Sequence, residues 1–189
     1  MNKRSGAESR KRILSAAVRV FSQYGYRGAS MRLIAKTADV SVGAVYLYFR
    51  NKEELYYKLI KNKLDDLDAR TGEILRDMED PEEAMKNFIA MRLEHARKHR
   101  EHILIQAREH GFTFGIKVKR EFFRRQREIV EKIVRKGIAS GKFRKCDAEE
   151  VSKIIICTLR GFVLSVVVEP DALFSPEECG SLILKGLLQ

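Results

Sequence analysis

Tryptophan is absent from this chain, and proline occurs only three times. With so few residues that interrupt helices, long helical stretches are allowed. Cysteine is scarce too: Cys146, Cys157 and Cys179 are too few and too scattered for a disulfide framework or a cysteine-built zinc site. That usage fits a reducing cytoplasm, the expected location. The opening MNKRSGAESRKR has no apolar core and does not read as a secretory signal. The most apolar run, IIICTLRGFVLSVVV at 154–168, is interrupted by Arg160. It falls short of the roughly 20 residues a membrane span needs, so it reads as a buried helix and no membrane partner is expected. Catalytic signatures are missing as well. There is no nucleophile elbow, phosphate loop, HExxH or pair of catalytic carboxylates. The expectation is a protein that is not an enzyme, with no cofactor and no metal.

Basic charge is plentiful, and it is unevenly placed. The formal net charge is +11 over 189 residues. The first sixty residues hold 12 Lys/Arg against 4 Asp/Glu, so +8 of the excess lies there and only +3 in the remainder. Such asymmetry points to a polyanion partner for the first third. Hydrophobic residues make up 44% of the chain, enough for a core, and Ala, Leu, Ile, Lys, Arg and Glu favour helix.

Helical punctuation recurs along the whole chain. Ser5 with Glu8 forms a capping box for a first helix, whose Ile13, Leu14, Ala17, Val18 and Phe21 recur at helical spacing. Gly25 and Gly28 end it in a loop. Ser30 caps a second helix, Met31 to Ala38, with Leu33, Ile34 and Thr37 inward. Asp39 and Val40 make a tight turn, since Asp tolerates the left-handed backbone. Ser41 caps a third helix reaching about Phe49. Asn51 and Glu54 box a fourth with Leu55, Leu59 and Leu67 on its apolar side. Asp80-Pro81-Glu82-Glu83 starts another, with Met85, Phe88, Ile89 and Ala96 inward and a break near His99–Glu101. A further helix runs to Glu109 before Gly111 and Gly115. A basic helix spans 117–139 and stops at Gly141. Asp147 with Glu150 caps the next, and Ser175-Pro176-Glu177-Glu178 starts the last, ending near Leu188. The fold class is all-α, about nine helices with no strand. The first three form a helix-turn-helix.

The third helix carries the chemistry: SVGAVYLYFRNKEEL, residues 41–55. On a helical wheel Val42, Val45 and Phe49 fall within about 60° of one another and anchor it to a core. Gly43 and Leu47 lie opposite, flanked by Ala44 and Tyr46, with Tyr48 toward the edge. Small residues at the amino end let backbone approach base edges or phosphates closely. A rod of about 10–12 Å suits a major groove about 12 Å wide. Tyr46 and Tyr48 can reach phosphates, and outward Leu47 suits a thymine methyl. The ammonium of Lys52 and the next helix terminus can share a phosphate. Arg32 is placed for guanine or the backbone. Few of these positions can make bidentate base contacts, so DNA deformability is expected to contribute to sequence choice.

The run from Ser30 to Leu55, SMRLIAKTADVSVGAVYLYFRNKEEL, resembles the DNA-binding signature of the TetR family of bacterial repressors. The match falls at Ser30, Ile34, Ala35, Ala38, Val40, Ser41, Gly43, Tyr46, Tyr48, Phe49, Lys52 and Leu55. Asp39 departs from the family's usual Gly. The resemblance implies an N-terminal helix-turn-helix domain, 1–50, and a helical ligand-binding and dimerisation domain, 51–189, with helix 51–70 as linker. It implies that Ser30, Met31 and Arg32 lie at the groove edge. Ser41, Val42, Gly43, Ala44, Tyr46 and Leu47 would face bases or nearby phosphates, and Tyr48 and Lys52 would grip the backbone.

Beyond the signature, Cys157, Gly161 and Ser165 form a small-residue ridge between Ile154, Thr158, Phe162 and Val166. It fits either a partner helix or an intrachain contact. The resemblance implies a homodimer interface there, with Leu182 and Leu187 contributing. It also implies a ligand cavity in the middle helices, for which Phe88, Arg92, Gln106, Phe122, Phe123 and Arg127 are conceivable lining residues, and an apolar or acyl-type small-molecule effector. His95, His99 and His102 share a face at spacings of four and three, but no companion ligand has clear spacing and Arg97, Lys98 and Arg100 intervene; they read as solvated. The expected function is a dimeric, ligand-responsive transcriptional repressor on a palindromic operator. The alternative is a non-specific architectural DNA-binding protein without an effector.

Overall fold

In a computed structural model, residues 3–76, 78–107, 116–169, 171 and 175–188 are described. Among them are nine helices: α1 Lys3–Gly28, α2 Met31–Ala38, α3 Val42–Tyr48, α4 Lys52–Arg76, α5 Pro81–Lys98, α6 Arg100–Ala107, α7 Ile116–Ala139, α8 Ala148–Val168 and α9 Pro176–Lys185. The only pairing of extended backbone among the described residues is an isolated bridge between Phe143 and Leu188. The all-α class follows from caps that the chain supplies locally. Asp80 accepts from the N–H of Glu82 with Pro81 behind it, Asp147 accepts from those of Glu149 and Glu150, and Ser175 accepts from that of Glu178. Each satisfies backbone donors that a helix start leaves unpaired.

Several boundaries differ from the sequence reading. α1 begins at Lys3, ahead of the Ser5 cap expected for it. Helical structure resumes after Gly25, whose φ of 67° breaks the regular backbone, and continues to Gly28. α4 extends to Arg76, beyond the 70 expected. The break at His99 is real: its N–H bonds the carbonyl of His95 and α6 starts afresh at Arg100. α9 ends at Lys185, short of Leu188, because the closing residues turn into the bridge with Phe143. The expected helix end at Glu109 and the Gly111–Gly115 loop lie outside the described residues.

The chain divides into two compact units, residues 1–63 with 101–116, and residues 64–100 with 117–189. In the first, α1 packs on α2 and α3, and α2 on α3. Ile13, Ala17 and Phe21 of α1, Ile34 and Ala35 of α2, Val45 and Phe49 of α3, and Leu55 and Tyr56 of α4 are all buried. Tyr56 meets Phe21 and Tyr26 edge-on, each ring pair at 5.2 Å. Such contacts add to the area they bury. In the second unit α5 packs on α8 and α9. Met85, Phe88, Ile89 and Ala96 form its inner face, as the spacing predicts, and Leu93 is buried beside them. The α7–α8 connection turns at Gly141, φ 72°, and places Phe143 over Gly137, where a Cβ would fall inside the ring. Arg144 then donates from its backbone to the carbonyl of Leu187 at 2.8 Å and from Nε to that of Gly186 at 2.7 Å, tying down the C-terminal turn.

Candidate nucleic-acid interface

The two short helices are set by their caps and by one left-handed residue. Ser30 Oγ accepts from the N–H of Leu33 and Ser41 Oγ from that of Ala44, both at 3.1 Å. Between the helices Asp39 takes φ 53°, ψ 54°, and its N–H and that of Val40 close on carbonyls of α2. Arg12 of α1 clamps this turn, donating to the carbonyls of Ala38 at 2.8 Å and Asp39 at 2.9 Å and to the Asp39 carboxylate at 3.0 Å. The turn geometry is therefore held at Asp39 by the Arg12 clamp.

On α3 the expected outward face is outward. Tyr46 is 51% exposed and Leu47 73%, and Ser41 and Gly43 are exposed with Ala44 half-buried. Val45 and Phe49 anchor the helix. Val42, expected from the wheel as a third anchor, is instead exposed and joins the outward face. It is the first residue of α3. Ser30 and Arg32 are exposed.

Three of the expected DNA contacts sit differently. Met31 is buried in the core of the first unit, so its side chain is an anchor and not part of a groove edge. The hydroxyl of Tyr48 is buried without a hydrogen-bond partner, beside Gly6. Lys52 turns inward: Nζ donates to the carbonyls of Tyr26 at 2.6 Å and Ala29 at 2.7 Å, and lies over the Tyr26 ring. Burial holds its pKa below the usual lysine value. Within the run, but outside its matched positions, Lys36 and Arg50 are also exposed. Their charge, not their spacing, was the available signal.

The second unit sorts the remaining candidates. Along α8 the residues Ile154, Cys157, Thr158, Gly161, Leu164 and Val168 are exposed and Ser165 is half-buried; Leu182 of α9 is exposed as well. A Cβ on Gly161 would meet nothing. Phe162 and Leu187, expected at the same interface, are buried within the unit's own core. Among the described residues the ridge is thus largely exposed and takes little part in its unit's core, which favours a partner helix over the intrachain alternative. Leu164 and Val168, two further exposed apolar side chains, were missed because the apolar run reads as uniformly buried.

Of the conceivable ligand residues, Phe88, Arg92 and Phe122 are buried, and Phe123 and Arg127 are half-buried. The side chain of Gln106 lies outside the described residues. The Arg92 guanidinium lies 5.2 Å from the Phe122 ring centre, with its buried Nε unpartnered. Burial brings its pKa down to about 10, partly offset by Asp68. Asp68 accepts from Gln126 Nε2 at 2.8 Å and from Arg125 Nε at 2.9 Å, while the buried Oε1 of Gln126 has no partner. A buried polar group without a partner costs about 1–3 kcal/mol, which applies to Arg92 Nε and to Gln126 Oε1. Gln126 and Asp68 escaped the sequence reading because nothing local distinguishes them from surface residues on charged helices.

Residues 13–58 match the model for bacterial regulatory proteins of the tetR family. The chain is 28% identical to the HTH-type transcriptional regulator YhgD of Bacillus subtilis over 79% of each chain. It is 34% identical to the transcriptional repressor KstR of Mycolicibacterium smegmatis over 57% of this chain, a match spanning about half, 52%, of KstR's length. The fold is that of the regulator FadR from Bacillus subtilis in complex with stearoyl-CoA, with a TM-score of 0.74, 23% identity, and 93% of this chain and 95% of that one covered. The capped helix-turn-helix that presents Tyr46 and Leu47 thus falls within the stretch, residues 13–58, that is similar to the tetR family of bacterial regulatory proteins.

Proposed function

We propose that this chain is a homodimeric transcriptional repressor that leaves a palindromic operator when a small apolar or acyl-type effector binds. The observation that carries the reading is the outward projection of Tyr46 and Leu47 from a helix anchored by Val45 and Phe49. DNA recognition is assigned to residues 1–50, and effector response and dimerisation to 51–189, with the start of α4 as the link. Ser30, Arg32, Ser41, Val42, Gly43, Ala44, Tyr46 and Leu47 form the contact surface. Lys52 acts indirectly, by holding the connection between α1 and α2. A phosphate contact by Tyr48 requires its side chain to turn outward on binding. None of the described helices is long and apolar enough to cross a membrane.

The exposed stripe of α8 and Leu182 supports pairing through α8 and α9. Pairing sets two recognition helices about 34 Å apart, or a multiple of it, to match turns of the duplex. Arg92, Phe122 and Gln126 support an effector with an apolar body and a polar or anionic group. An effector that prefers one conformation of the second unit shifts the population between forms that fit DNA well and badly. The test is a competition at fixed salt between a palindrome selected from a random pool and random duplex. Preference for the palindrome, lost on adding a long-chain acyl-CoA, is expected. Equal affinity for both would instead make the protein an architectural DNA binder.

A further inference from the structure

α5 carries His95 and His99 one helical turn apart, with ring centres 4.4 Å apart. From α4, Asp66 brings its carboxylate to the same place. One ligand atom from each of the three residues lies within 4.8 Å of the others. Both helices belong here to the same compact unit, residues 64–100 and 117–189. Nδ1 of His95 is shielded from solvent and has no hydrogen-bond partner. The sequence reading grouped His95 and His99 with His102 and took them as solvated; the third ligand, Asp66, lies 29 positions upstream of His95, on another helix.

We propose that Asp66, His95 and His99 form a site for one divalent transition-metal ion of the zinc class. The donor set decides the class. Two imidazoles and one carboxylate suit Zn²⁺ and its neighbours Co²⁺ and Ni²⁺, whereas Mg²⁺ and Ca²⁺ require a shell of oxygens. Two histidines at i and i+4 on one helix form a chelate whose spacing the backbone has already set, so little ordering remains to be done. Ligand atoms up to 4.8 Å apart must draw together around an ion held at about 2.0–2.2 Å from each ligand, which side-chain rotation supplies. Three protein ligands leave a fourth position for water or a ligand group. Opposing charge is present: Arg70 pairs with Asp66 at 3.5 Å, and Arg92 raises the local potential at His95. The site therefore favours an ion bound through strong nitrogen coordination over one held by charge alone. This proposal does not depend on the operator or effector assignments, because binding is read on the free protein.

The test uses the full chain, stripped with chelator and dialysed, titrated with Co²⁺ and followed by its visible d–d absorption and by calorimetry. One Co²⁺ per chain, displaced by Zn²⁺, is expected. His95→Gln, His99→Gln and Asp66→Asn should each weaken binding at least tenfold, and Cys146→Ser, which removes a half-buried free thiol, should leave it unchanged. The Gln and Asn variants keep the side chains' bulk, and circular dichroism verifies that each is folded. His99 and Asp66 contribute little to the core, so at least these two remain informative if His95→Gln unfolds. Absence of a saturable Co²⁺ signal, or equal binding by wild type and the His99 and Asp66 variants, overturns the proposal.

Discussion

Lys52 places its ammonium 2.6 Å from the carbonyl oxygen of Tyr26 and 4.5 Å from the centre of that residue's ring. The signature's lysine is thus a brace for the α1–α2 connection before it is anything else. The carbonyls of Tyr26, in the last turn of α1, and of Ala29, just after it, receive a charged donor, and a charged hydrogen bond contributes about 1.5–3 kcal/mol. Lys52→Met should lower stability by about 2 kcal/mol, read as a lower Tm or urea midpoint of the free protein. A Tm equal to wild type would return Lys52 to the role of a free phosphate contact.

Tyr46 and Leu47 should behave in the opposite way. Both are exposed and neither supports the core, so Tyr46→Ala and Leu47→Ala should leave Tm within about 2 °C, because such surface changes stay within about 0.5 kcal/mol. Operator affinity should fall about 10- to 100-fold for each, the range of a lost specific contact. Anisotropy titration at fixed salt checks this. Unchanged affinity in both would remove α3 from the groove.

Asp39 is the one non-glycine residue with positive φ among the described residues. A β-branched side chain there is badly strained, so Asp39→Val should destabilise by more than about 1 kcal/mol. Asp39→Gly removes the strain but also the exposed Arg12 ion pair, itself of small value, so it should be close to neutral or stabilising. Chemical denaturation of the pair of variants separates backbone from charge. If Val were tolerated as well as Gly, the turn would not be left-handed in solution.

The stripe on α8 and α9 makes a prediction about assembly. Ile154 at 63% and Leu182 at 67% exposure contribute nothing to their own core, so Ile154→Arg and Leu182→Glu should fold with unchanged helicity. They should nevertheless turn a dimer into a monomer on native mass spectrometry and sedimentation, because an unpaired charge in a buried interface is costly. Loss of the dimer should weaken operator binding with it. A wild-type monomer, or dimers in both variants, would place the interface elsewhere.

Local chemistry alone determined the helices and the capped helix-turn-helix of this protein. Ser30, Ser41, Asp80, Asp147 and Ser175 cap helices through atoms within three residues of themselves, which is why their positions could be read from spacing. The outward face of α3 was legible for the same reason, since a helix's periodicity tells its sides apart. Tertiary structure decided what periodicity leaves ambiguous. It buried Met31 and turned Lys52 onto carbonyls 26 and 23 positions away. It put Phe162 inside while leaving Leu164 and Val168 outside, a division invisible in a run where nearly every residue is apolar. It also brought Asp66 to His95 and His99 and Asp68 to Gln126. Such meetings depend on how separate helices pack, and no short-range pattern in the chain encodes which side chains will then face each other.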